Sequence, residues 1–276
     1  MSDIRVQPIS HAVGAEICGA DLTDLSDADF EIVRRAFIDH GVIFLHGQDL
    51  SPEQHIAFAK RWGKINVNRF LAAVDGYPQI AEVHKGPDQT FNIGGSWHTD
   101  HSYDVEPAMG SILYALEVPP TGGDTLFASM YAAYDALSDG LKTTLESLEA
   151  VHSSRHVFGS ETSNEQTGGR ISNAEAAKQD SIHPVVIRHP ESGRKALYVN
   201  PGFTVCFNGW TRAESKPLLD FLYEHARQPE FTFRFRWKRG SIAFWDNRAT
   251  WHYALNDYHG QSRRMHRITI EGGPLR

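Results

Sequence analysis

Residues 241–254 read Ser241-Ile242-Ala243-Phe244-Trp245-Asp246-Asn247-Arg248-Ala249-Thr250-Trp251-His252-Tyr253-Ala254. Two short β-rich runs lie here, 241–245 and 250–254. Runs of the same kind recur at 110–118, 124–128, 184–188, 196–200, 231–237 and 267–270. Turn signals such as Pro119-Pro120, Gly122-Gly123, Pro201-Gly202 and Gly272-Gly273 separate several of them. Many short strands with turns between them predict a sandwich or jelly roll.

The N-terminal part reads differently. Phe30, Val33 and Phe37 fall at helical spacing between Ser26, a plausible N-cap, and Gly41, which can close a helix over 27–40. A short buried strand, 42–45, follows. Ser51-Pro52 opens a second helix, with Phe58 and Trp62 on one face and Gly63 able to end it. Helical patterns also cover 130–148 and 213–226. Residues 160–180 are polar and read as a long loop, either an active-site lid or a tolerated insertion.

The chain has 276 residues, 41% hydrophobic and 22% charged, which is ordinary globular composition. The formal charge of −7 argues against a general nucleic-acid or anionic-membrane binder. No apolar run is long enough to span a bilayer, and the first residues carry no signal-peptide pattern. Two cysteines make neither a disulfide framework nor a CxxC motif, so a reducing cytoplasm is the expected compartment.

Trp97-His98-Thr99-Asp100-His101 carries the chemistry. On an extended segment, positions i and i+2 face the same way. His98 and Asp100 then point together, and His101 points elsewhere. A third metal ligand must come from a distant strand, and His252 is the candidate. Two His and one carboxylate with three open positions suit a non-haem Fe(II) oxygenase. A lone His-x-Asp is also common without metal. HExxH, the Walker P-loop and GxSxG are all absent. Arg263 and Arg267 lie two strand periods apart, so they share a face with Met265 between them, while Ile268 and Ile270 take the other. Buried together, the guanidiniums would need anions. On a solvated face they would need none, and spacing alone leaves both readings open.

These stretches resemble the taurine dioxygenase / 2,4-dichlorophenoxyacetate dioxygenase (TauD/TfdA) family of Fe(II)- and 2-oxoglutarate-dependent oxygenases. The likeness runs from Val13–Leu22 through Gly41–Leu45, Trp97–Asp100, Pro119–Thr125 and Trp245–Arg248 to His252–Arg267. It implies a single domain over 1–276, mainly β with flanking helices, built on a double-stranded β-helix (a jelly roll, cupin-like). It implies Fe(II) on His98, Asp100 and His252, the metal ligands and catalytic centre. It implies 2-oxoglutarate and O₂ as cosubstrates. Thr125 and Arg263 would hold the far carboxylate of 2-oxoglutarate, with Arg267 close by and available to the acidic group of a substrate. The product side would be succinate, CO₂ and a substrate oxidised at a C–H bond. A homo-oligomer, dimer or tetramer, is expected.

The substrate positions depart from the taurine-oxidising pattern. Asn68 stands where a His holds the sulfonate, Leu71 where a Tyr stands, and Gly94 where an Asn stands. Phe158 and Phe203 match aromatic pocket positions, although core packing is the commoner role of Phe. The departures argue against taurine itself and toward a larger or more apolar organic acid: a sulfonate, an aryloxyalkanoate or a related anion. Two rival readings use the same residues. One is a metal-binding jelly-roll module without redox turnover. The other is a cupin-like zinc hydrolase or isomerase. Neither accounts for Thr125 together with the paired arginines.

Overall fold

The computed structural model describes residues 3–159, 170–171 and 173–275. The larger sheet has nine strands among the described residues. Its centre runs Val42–Leu45, Ile242–Asp246, Gly110–Glu117, Arg263–Ile270 and Tyr77–Lys85, in that spatial order. Arg5–Pro8 and Ala15–Cys18 extend one edge, and Ala73–Val74 the other. A smaller sheet joins Thr232–Phe235, Thr125–Ser129 and Thr250–Ala254.

Alternation along the central strands explains how the sheets pack. Val42 and Phe44 face the smaller sheet, while Ile43 and Leu45 face away, and all four are buried. Leu113 and Ala115 oppose Ile112 and Tyr114 in the same way, as Ala243 and Trp245 oppose Ile242 and Phe244. Strands covered on both faces read as unbroken apolar runs. The inward set meets Phe127 and Phe235 of the smaller sheet. Phe44 stacks on Phe235 at 4.2 Å and meets Phe127 edge-on at 5.5 Å. The outward set lies under the helices Asp27–His40 and Pro52–Lys60, where Phe37 stacks on Phe244 at 4.3 Å. Ala128 and Trp251, on the outer face of the smaller sheet, pack with Met130–Asp135 and Arg212–Ala226. Each large side chain buried in this way contributes roughly 1.5–3 kcal/mol, so filling the gap between the sheets sets the architecture. This is the jelly-roll sandwich with flanking helices that the sequence predicts.

The first helix has its predicted bounds. Ser26 accepts from the Asp29 amide, and Gly41 closes the helix at φ 70°. The second opens with a full capping box on Ser51 and Gln54, but it ends at Lys60, before Gly63. The predicted helix 130–148 is two helices, Met130–Asp135 and Asp139–Leu145, because Ser138 caps the second by accepting from the Leu141 amide. The predicted run 184–188 also divides. Pro184 ends Asp180–Pro184, and Val186–Arg188 pairs with Lys195–Leu197. Tyr77–Lys85, Glu149–Ser153, Asp180–Pro184 and Thr204–Phe207 were not among the predicted strands. Of the predicted loop or lid 160–180, residues 160–169 and 172 lie outside the described residues. In the remainder, Ile171 bridges to Leu71, and Arg170 donates to the carbonyls of His84 and Phe91.

Candidate active site

Two strand-like segments from distant parts of the sequence meet at His98 and His252. Each donates its amide to the other's carbonyl, at 3.1 and 2.8 Å. This bridge sets the two rings side by side, 4.1 Å between centroids. Asp100 follows on the same segment. Its Oδ1 lies 3.7 Å from His98 Nε2, and its Oδ2 lies 3.7 Å from His252 Nε2. One ligand atom from each of the three residues lies within 4.8 Å of the other two, a spacing that one ion can bridge.

Neighbouring groups prepare the three side chains. His98 Nδ1 donates to the Ser96 carbonyl at 2.7 Å, which leaves Nε2 as the lone-pair nitrogen. Burial lowers the pKa of His98 and pushes that of His252 well below its ordinary value, so both rings are neutral. Burial alone would raise the Asp100 carboxyl. Arg267 at 2.8 Å, with His252 and His98 beside it, instead holds it far below the usual carboxylate range. Two neutral imidazoles and an ionised carboxylate are the protonation states that metal ligation requires. Asp100 Oδ2 also accepts from Ser111 Oγ at 2.9 Å. The turn at Asn247 fixes the segment from behind. Its carbonyl accepts from Thr99 Oγ1 at 2.6 Å, and its Oδ1 accepts from Trp245 Nε1 at 2.9 Å. Gly202 makes close approach possible, since a Cβ there would sit 2.7 Å from His98 Cβ.

A cavity of about 280 Å³ opens over the triad, close to the small end of ordinary ligand pockets. His98, Asp100, His252, Thr125, Arg263 and Arg267 line it, as do Asn68, Gly94, Phe158 and Phe203. At one end, Arg263 is 4% exposed and donates through Nε to the Gly123 carbonyl at 3.0 Å. Its Nη2 is buried and has no hydrogen-bond partner among the described residues. Thr125 Oγ1 accepts from Trp237 Nε1 at 2.9 Å, so the hydroxyl proton is left to donate elsewhere. A guanidinium edge and a hydroxyl with nothing to bind, both buried, form an anion site.

The other end is aromatic. Phe158 stacks on Phe70 at 4.2 Å, and Phe203 meets Tyr103 edge-on at 4.9 Å. Asn68 lines this end, but its Oδ1 is already used by the Phe70 and Leu71 amides. Gly94 contributes backbone at φ +79°, where a Cβ would reach van der Waals contact with the His98 ring at 3.4 Å. The shared face of Arg263 and Arg267 is the buried one. Their partners differ, since Arg267 pairs with Asp100 and Arg263 with no carboxylate. His101 lies outside the metal cluster: its backbone is left-handed at φ 58°, and its Nδ1 lies 3.2 Å from Asp104 Oδ2. Ser111, Trp237 and Asn247 were missed as site-building residues. Only Asn247 lay in a stretch singled out by resemblance.

Comparison with known proteins agrees with this geometry. A model of the family described as "Taurine catabolism dioxygenase TauD, TfdA family" matches residues 5–269. An alkylsulfatase of Acinetobacter baylyi is 35% identical over 275 residues, 98% of this chain and 85% of that protein. An alpha-ketoglutarate-dependent sulfate ester dioxygenase of Pseudomonas putida is 34% identical, covering 98% and 90% of the two chains. Among solved structures, a taurine dioxygenase from Burkholderia xenovorans superposes with a TM-score of 0.83 at 35% identity, covering 99% of this chain and 92% of that one.

Proposed function

The chain belongs to the taurine catabolism dioxygenase TauD, TfdA family, and from that membership and the cavity's chemistry we propose which residues perform the reaction. The protein is an Fe(II)- and 2-oxoglutarate-dependent dioxygenase acting on small anionic organic molecules. His98, Asp100 and His252 hold the iron. The chemistry supplied there when iron is bound is oxidation of a substrate C–H bond, coupled to conversion of 2-oxoglutarate to succinate and CO₂. Arg263 and Thr125 bind the far carboxylate of the keto acid. Arg267 and Ser111 orient the Asp100 carboxylate by donating to Oδ2. Phe158, Phe203, Asn68 and Gly94 shape the substrate end and exclude water from it. Sulfate esters and sulfonates larger or more apolar than taurine are the preferred substrates.

The observation that carries this reading is the buried, unpartnered Arg263 edge sharing a cavity with the His98–Asp100–His252 cluster. We also propose one domain over 1–276 and a homo-oligomer, dimer or tetramer. A cytoplasmic location is supported by two free thiols, Cys18 and Cys206. The net acidic charge supports a protein without nucleic-acid or membrane partners. No helix among the described residues is long and apolar enough to cross a membrane. The test is anaerobic addition of Fe(II) and 2-oxoglutarate, followed by oxygen and a panel of sulfate esters, sulfonates and aryloxyalkanoates. A weak visible charge-transfer band and succinate release are expected, both abolished by Asp100→Ala. Zinc alone in the purified protein, with no oxygen uptake on any substrate, would refute the assignment.

A further inference from the structure

The cavity over the triad is charged on one side and apolar on the other. The arginines that line it, Arg263 and Arg267, share one strand face beside Asp100. The other side is walled by Phe70, Leu71, Val157, Phe158, Ile171 and Phe203, which pack as one apolar cluster. An anion with an apolar tail enters such a compartment in one orientation, its head toward the arginines and its tail against the cluster. Burial of apolar surface is non-directional and scales with area. The cluster therefore reads the size of the tail and nothing else about it.

Leu71 and Ile171 come from distant parts of the sequence and meet as an antiparallel bridge, with Ile171 only 8% exposed. The chain around Ile171 is fastened on both sides. Before it, Arg170 donates to the His84 carbonyl at 2.6 Å and to the Phe91 carbonyl. After it, Asn173 Nδ2 donates to the Arg69 carbonyl at 3.1 Å, and Ala177 is buried in the same apolar cluster. Arg155 Nη2 donates to the Lys178 carbonyl at 2.8 Å, and Asp180 then enters a strand paired with Glu149–Ser153. These ties join Ile171 to the segments that carry Asn68–Leu71 and Val83, which line the cavity themselves. A wall held in this way does not yield smoothly, because packed side chains resist overfilling. Resting on the dioxygenase reading above, we propose that Leu71 and Ile171 form a length stop. They are a specificity-determining pair that ends the substrate compartment and selects organic monoanions by the length of an apolar tail.

The probes are straight-chain alkyl sulfates from ethyl to dodecyl and alkanesulfonates of the same lengths. Binding to the anaerobic Fe(II) and 2-oxoglutarate complex is read by calorimetry, and turnover by succinate. Up to the stop, each added methylene strengthens binding by about four-fold. Beyond it the gain ends and kcat/KM falls. Ile171→Ala removes most of the side chain at the stop, so the break moves to tails longer by about two methylenes. Leu71→Ala moves it in the same direction. Ile171→Phe fills the end and moves it to shorter tails. The break is located within each protein, so a partial loss of fold or metal lowers all lengths alike and cancels. A wall that is merely structural cannot give opposite shifts in the two Ile171 variants. Absence of the anaerobic keto-acid band overturns the dioxygenase reading and this inference with it. With the band present, three results overturn the inference alone: no binding of any probe, a break at one length in every variant, or a uniform change across all lengths.

Discussion

Replacing Arg263 by Met keeps most of the side chain's length and removes only its charge and donors. Among the described residues the guanidinium makes one hydrogen bond, from Nε to the Gly123 carbonyl, and Nη2 is buried without a partner. Burial lowers its pKa, and Tyr258 and Asp124 only partly offset that effect. The residue is therefore a cost until a carboxylate arrives. Two consequences follow with opposite signs. A charge-assisted hydrogen bond to the keto acid contributes about 1.5–3 kcal/mol, so Arg263→Met weakens 2-oxoglutarate by about 10- to 150-fold. Without the keto acid, the variant's stability stays level or rises, because an apolar side chain replaces a poorly satisfied buried charge. The affinity is read by titrating the anaerobic Fe(II) protein with 2-oxoglutarate and following the visible band. Stability is read by thermal melting with and without the keto acid. A Kd within two-fold of wild type would show that the anion site lies elsewhere. A strongly destabilised keto-acid-free variant would show that Arg263 is structural.

Trp237→Phe removes the donor that orients the Thr125 hydroxyl at 2.9 Å. KM for 2-oxoglutarate should rise by roughly two- to ten-fold, the value of one neutral hydrogen bond, with kcat unchanged. A kcat defect at saturating keto acid would contradict the proposed role. His55 is fully buried, both its ring nitrogens lack a hydrogen-bond partner among the described residues, and burial pushes its pKa down to about 3. His152 is likewise pushed down to about 3 by burial. The unfolded chain protonates near the ordinary value of about 6.5, so it binds more protons than the folded state in between. Stability is then full above about pH 6.5 and is lost as pH falls toward 3, by about 1.4 kcal/mol per pH unit for each group. His55→Leu should remove one group's share of that slope when urea midpoints are compared from pH 6 to pH 4. Parallel profiles would contradict it.

Local signals explain why some elements were legible. Ser26 and Gly41 bracket a helix whose apolar residues repeat on one face, and Ser51-Pro52 starts another with nothing tertiary needed. Runs such as 42–45 and 112–115 are apolar throughout because both faces are covered. Tyr77–Lys85 carries Pro, Gln, Glu, His and Lys, shows no clean alternation and still pairs along Arg263–Arg267. Its order comes from the neighbouring strand, which no local pattern reveals. The metal ligands were legible because two of them sit two residues apart. Ser111 and Asn247 were not, since Ser and Asn in a strand and a turn are unremarkable until Asp100 and Thr99 fold onto them.

The two arginines on one strand show what spacing could not decide. Arg267 is neutralised by Asp100 at 2.8 Å, so that pair adds no net charge to the cavity. Arg263 makes no ion pair among the described residues, and the neutral imidazoles of His98 and His252 add nothing. Together these groups leave the buried site with one positive charge. A divalent ion and the dianionic keto acid cancel each other and leave that charge standing. Buried charge is tolerated only when it is matched, and a single negative charge on the substrate completes the balance. A sulfate monoester, a sulfonate or a carboxylate supplies one, and a neutral or dianionic molecule does not. On this count a monoanion is the expected substrate, and no single substrate-binding arginine has to enforce it.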